Sequence, residues 1–166
     1  MIFRPQRLQP QPGQESVWDY PRPPRLELSP KRIQVLFNEL ILAESQQTYR
    51  VLETSHPPVF YIPLADIHQE YLQPTARQSF CEWKGVAHYY TVTAGDRSEV
   101  DAAWYYPQPT PAFAAIANFV AFYPSRMEAC YVDGEKVTAQ AGDFYGGWIT
   151  SNIVGPFKGE AGSWGW

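Results

Sequence analysis

The chain has 166 residues and a formal net charge of −4, and its 13 basic residues are scattered with no block of five or six, so no phosphate backbone is matched and nucleic-acid binding is not expected. The longest apolar stretch, near Pro111 to Tyr123, is broken by Asn118 and falls short of the roughly 20 residues a bilayer needs, so no membrane partner is expected either. This length suits one domain with one core. Charged residues, at 18%, fall below the average of about 25%, while aromatics reach 16%. Tyr and Trp bury a large apolar body and still need a partner for a polar tip, so such a chain tends to build pockets or interfaces.

Residues 1–28 hold six prolines in a polar background and read as an extended arm, with Val17-Trp18-Asp19-Tyr20-Pro21 as a docking point. The start, MIFRPQRLQPQPG, lacks the apolar run of a secretory signal, and a cytoplasmic location is the expectation. From residue 29 to 142 the pattern is that of a β domain. Ile33, Val35 and Phe37 alternate on one face, Asn38-Glu39 makes a turn into LILAES, and QQTYRVLET and VFYIP follow as strands. Leu64 to Ile67 suits one helical turn. In SFCEWKGVAHYYTVT, Val86, His88 and Tyr90 share one face and Ala87, Tyr89 and Thr91 the other, with Gly85 a bulge or close approach. Ala94-Gly95-Asp96 turns the chain into a return strand over Val100 to Tyr106. One short helix is expected over Pro111 to Asn118, capped by Thr110 with Pro111 in its first turn. A hairpin through Asp133-Gly134 follows. The tail, 143–166, has six glycines and three tryptophans. Its indoles are poorly kept in water, so it is expected to wrap the domain or a partner subunit, which makes a homodimer one possible assembly.

Three clusters offer chemistry. Glu53-Thr54-Ser55-His56-Pro57-Pro58 places a carboxylate, hydroxyls and an imidazole at a strand end pinned by two prolines, able to bind a ligand or to supply acid and base. The same residues would also serve as an ordinary loop. Cys81 lies three residues from Lys84, whose ammonium favours a thiolate, but in extended backbone the two would face opposite ways unless a turn intervenes. The bland alternative is a core cysteine. Asp101 to Tyr106 is strand-like with Trp104 opposite Tyr105, and aromatic walls beside Lys84 suit an anionic or planar ligand as readily as a core. Cys81 and Cys130 form no C-x-x-C pair and read as free thiols, and His56, His68 and His88 are far apart, so neither metal nor cofactor is expected. No phosphate-binding loop, dinucleotide fingerprint or G-x-S-x-G elbow occurs.

In order and spacing, ETSHPPVFYIP, SFCEWKGVAHYYTV, DAAWYYPQP and FVAFYPSRMEACYVDGE resemble the family known as domain of unknown function 427, over about residues 29–138. The resemblance implies a mainly-β fold, the β-tent, with two small antiparallel sheets and one short helix. It implies a shared pattern at Glu53, Ser55, His56, Tyr61, Cys81, Lys84, Gly85, Trp104 and Tyr123. The zinc that joins the sheets in other β-tent proteins has no paired cysteines here. The expected ligand-binding set is Glu53, Ser55, His56, Tyr61, Cys81, Lys84, Trp104 and Tyr123, with Cys81, His56 and Lys84 as candidates for catalysis. The functional expectation is a small-molecule-binding module, with a thiol-dependent enzyme using Cys81 and an interaction protein dimerising through its tail as alternatives.

Overall fold

The computed structural model describes residues 6–142 and 144–166. The first five residues of the expected arm, and Asp143 where the expected tail begins, lie outside the described residues.

Alternation sets the strands. Ile33, Val35 and Phe37 are fully buried while Gln34 and Leu36 between them are not, the period-two burial of a strand on a core. Asn38 and Glu39 both have positive φ, 47° and 66°, the backbone that joins twisted antiparallel strands by two residues, and Leu40–Ser45 returns beside Ile33–Phe37. Asp133 and Gly134, at 48° and 82°, do the same between Ala129–Val132 and Glu135–Lys136.

These four strands form one antiparallel sheet in the order Glu135–Lys136, Ala129–Val132, Ile33–Phe37, Leu40–Ser45. A second, longer antiparallel sheet has the order Val120–Phe122, Arg97–Tyr105, Gly85–Ala94, Leu72–Cys81. A three-stranded antiparallel sheet, Arg25–Ser29, Thr48–Leu52, Val59–Tyr61, is stitched to its edge where Ile62 and Val120 exchange backbone hydrogen bonds of 2.8 Å each. The chain is thus mainly β, built of small antiparallel sheets with a few helical turns, as expected.

The helical element differs from expectation in kind. Over Pro111–Ile116 the chain makes 3₁₀ turns, kinked at Phe113 (φ −113°, ψ 16°). Thr110 does not cap them: its hydroxyl donates to the Trp83 carbonyl at 2.6 Å. Phe113 and Ile116, spaced by three, are the residues buried, and that spacing aligns side chains on a 3₁₀ turn. The strand Leu72–Cys81 carries no hydrophobic alternation because it is an edge strand, mostly exposed, with its register shifted between Pro74 and Gln78.

The long sheet contributes to a core on each of its faces. Ala103, Val120 and Phe122 enter one core with Val35, Phe37, Leu42 and Cys130 of the other four-stranded sheet. Their neighbours Trp104 and Ala121 point the other way, into a second cluster with Tyr61, Ala87, Tyr89, Tyr106 and Tyr123. Segments far apart in sequence meet on this framework. Glu15–Ser16 pairs in parallel with Ile153–Val154, and the Arg50 guanidinium, 13% exposed, pairs with the carboxylates of Glu15 and Glu27. Of the tryptophans after residue 143, Trp164 is 93% exposed, whereas Trp148 is 1% exposed. The Trp148 indole donates to the Phe122 carbonyl at 3.2 Å, and its ring packs on Phe60. Truncation of this side chain removes packing and orphans that carbonyl. Trp148→Ala is therefore expected to cost about 3–5 kcal/mol in denaturant unfolding, and Trp148→Phe less. A loss below about 1 kcal/mol would mean that the segment does not support the core.

Candidate functional site

A cavity of about 670 Å³ opens on the aromatic face of the long sheet. The expected site residues reach it from separate elements. Glu53 and His56 come from the turn after Thr48–Leu52, Tyr61 from the end of Val59–Tyr61, and Cys81 from the end of the edge strand. Lys84 lies in the hairpin turn, Trp104 near the end of Arg97–Tyr105, and Tyr123 just after Val120–Phe122. Ser55 is not in the lining. It is fully buried with φ 72°; its N–H donates to Val17 at 3.1 Å and its carbonyl accepts from Lys158 at 2.8 Å, while its hydroxyl has no partner. Its place is behind the wall, where it links two distant segments.

The Cys81–Lys84 spacing is resolved by a turn. Cys81 and Gly85 are cross-strand partners, so Glu82-Trp83-Lys84 is the hairpin loop and returns Lys84 to the thiol's side. Gly85 has φ +105°, a conformation that strains any other residue. Thr110 pins the loop from below: its N–H donates to the Lys84 carbonyl at 3.1 Å, beside the hydroxyl bond to Trp83.

At one end of the cavity His56 is held from two sides. The Gln140 amide is oriented by donating to the Lys158 carbonyl at 2.7 Å and by accepting from the Gly147 N–H at 3.1 Å. It therefore presents its NH₂ to His56 Nδ1, 3.3 Å away, which leaves the proton of the neutral ring on Nε2, facing Glu53 at 3.5 Å. Glu53 also pairs with Arg22 at 3.1 Å. Burial lowers the His56 pKa and outweighs the pull of Glu53; the positive charges of Arg22, Lys158 and Lys84 act with burial.

The other end is aromatic. The Trp104 indole donates to Tyr61 Oη at 3.2 Å, and the Trp104 and Tyr123 rings lie 4.5 Å apart. Lys84 Nζ stands 5.8 Å from the ring centres of Tyr106 and Phe113. Among the described residues no carboxylate forms an ion pair with it. Burial alone would lower the Lys84 pKa; the neighbouring Tyr61 oxygen, the hydrogen-bonding Cys81 sulfur and the Glu53 carboxylate outweigh it and hold the ammonium above the ordinary lysine range. Burial raises Tyr61, and it raises Tyr106 strongly, so both phenols keep their protons.

Sequence reasoning missed Arg22, Gln140, Tyr145 and Lys158 as lining residues. They come from segments whose composition gives no local motif; for Tyr145 and Lys158 only the tail's need to cover its apolar surface pointed toward them, and for Arg22 and Gln140 nothing did. Among the described residues no group of three or more His, Cys, Asp or Glu side chains is placed to hold a metal ion, and no helix is long and apolar enough to cross a membrane.

The depressed His56 pKa fixes a pH dependence. As pH falls through 6.5 the unfolded chain takes up the proton first, so stability present above that value is lost as pH drops toward the folded midpoint. Urea unfolding at pH 7.5 and 5.5 is expected to show a larger loss for the natural chain than for His56→Gln, with the His56 ring titrating below 6.5 by NMR. Equal losses, or a midpoint above 6.5, would reverse the assignment of burial as the dominant effect.

None of the curated proteins compared with the chain matches it. The model of one family matches residues 25–133, a span that includes Glu53, His56, Tyr61, Cys81, Lys84, Trp104 and Tyr123. The chain belongs to that family, which is described as a domain of unknown function, DUF427.

Proposed function

We propose that the protein is a small-molecule-binding module whose site is the cavity on the aromatic face of the long sheet. One observation carries this reading: seven polar and aromatic residues from separate strand ends and turns line a single hollow of about 670 Å³. That volume falls within the roughly 300–1,000 Å³ of ligand pockets, and mostly apolar walls with a few convergent polar groups are what such pockets use. Glu53, His56, Tyr61, Cys81, Lys84, Trp104 and Tyr123 form the contact set. His56, neutral near pH 7, accepts a hydrogen bond from the Gln140 amide at Nδ1 and turns its Nε2–H to Glu53, so the pair forms a fixed polar wall of the cavity.

A second reading, favoured by the position of the Cys81 thiol beside the Lys84 ammonium at the cavity wall, gives Cys81 a chemical role. The two readings differ in what Cys81→Ser does. A thermal-shift screen of metabolites is expected to yield ligands that at 100 times Kd stabilise the chain by about 2.7 kcal/mol, an upward shift of roughly 5–10 °C. Lys84→Ala and His56→Ala are expected to reduce that shift, and Cys81→Ser, which keeps a small polar group at that wall, to reduce it least. Shifts that survive both of the first two substitutions would place the site elsewhere, and loss of the response in Cys81→Ser alone would favour the thiol reading.

A further inference from the structure

The proposed site carries a charge asymmetry that narrows what it accepts. Two carboxylates line the cavity, and neither neutralises Lys84. Glu53 is engaged by Arg22 at 3.1 Å and faces His56 at 3.5 Å, and Glu82 is exposed in the hairpin turn. Lys158, a further cation of the lining, donates its ammonium to the Ser163 carbonyl at 3.0 Å. Lys84 is left as a half-buried ammonium whose nearest groups are aromatic rings, phenols and a thiol. Beside it, Tyr61 Oη accepts the Trp104 N–H and so keeps its own O–H to offer. A cation and a neutral donor side by side form a binding end for an anion, and away from bulk water such a charge-assisted hydrogen bond is stronger than a neutral one.

The remaining walls are flat. Trp104 and Tyr123, with ring centres 4.5 Å apart, and Tyr106, 5.8 Å from Lys84 Nζ, present ring surfaces suited to stacked or edge contacts with a planar group. On this geometry, and resting on the reading of the cavity as a ligand site, we infer that the protein takes a flat organic anion. Its acidic head meets Lys84 and Tyr61, and its ring lies against Trp104 and Tyr123.

Calorimetric titration of the full chain with four probes tests this: 2-naphthoate, its neutral isostere 2-naphthamide, the non-planar cyclohexanecarboxylate, and inorganic phosphate. Naphthoate is expected to bind at least about tenfold tighter than each of the others. Lys84→Met is expected to bring naphthoate down to the level of naphthamide without weakening naphthamide, whereas Lys84→Arg keeps the preference. Amide binding equal to that of the acid, or a preference that survives Lys84→Met, would overturn the anionic head. Equal binding of cyclohexanecarboxylate or of phosphate would overturn the flat body. If none of the four binds, the assignment falls whatever the metabolite screen finds, and that screen alone decides the broader reading. Should Lys84→Met fail to fold, Lys84→Gln read in the same titration takes its place.

Discussion

An ammonium with no carboxylate beside it is not sealed inside aromatic walls at tolerable cost. Cation–π contacts return part of what is lost when water is removed, and water or an anion has to supply the rest. The aromatic side of this molecule is arranged around that constraint at Lys84. Its hairpin turn holds the side chain inward, Thr110 fixes the turn, and the neighbouring phenols stay protonated. A closed core could have been built from Tyr61, Tyr89, Trp104, Tyr106 and Tyr123 alone. With Lys84 among them, the same cluster encloses an open hollow.

The long sheet makes this possible because its two faces have different duties. Ala103, Val120 and Phe122 complete a dry core with the other four-stranded sheet, and that rigid layer holds Trp104 and Tyr123 in place on the opposite side. Segments remote in sequence then raise the cavity's rim. Gly146 lies so close to Trp104 that an added Cβ would sit 2.2 Å from the indole, and at Gly147 it would meet Gln140 and Pro57 at 2.5 and 2.7 Å. The glycines after residue 143 therefore allow backbone to approach the site as closely as a side chain would. Gln140, gripping both Gly147 and Lys158, carries that order through to His56.

Much of this was legible in the sequence. Where one strand face is buried, as at Ile33, Val35 and Phe37 or at Ala87 and Tyr89, hydrophobic alternation marks the strand, and Asn38-Glu39 and Asp133-Gly134 mark their turns. The strand Leu72–Cys81 was not legible because an edge strand needs neither an apolar face nor good strand formers. The helix expected after Thr110 is instead a run of 3₁₀ turns that buries Phe113 and Ile116, three residues apart, and the hydroxyl expected to cap it is bonded to Trp83, a partner 27 residues away. Of the expected site residues, Ser55 alone fell outside the cavity. A serine beside a histidine suggests shared chemistry, and nothing local reveals that its backbone is needed by Val17 and Lys158. Arg22, Gln140 and Lys158 could be found only once tertiary contacts were known, since each acts through a partner at least 18 residues distant.

The central claim is that the Lys84 end of the hollow is open to small solutes. Cys81 reports on it directly, since its thiol is at the cavity wall while Cys130 is 1% exposed in the dry core. Alkylation of the folded protein with iodoacetamide, resolved by peptide mass, should modify Cys81 and leave Cys130 untouched until the chain is unfolded. Equal protection of both thiols in the folded state would contradict the account, because it would mean that the space around Lys84 is closed to solutes.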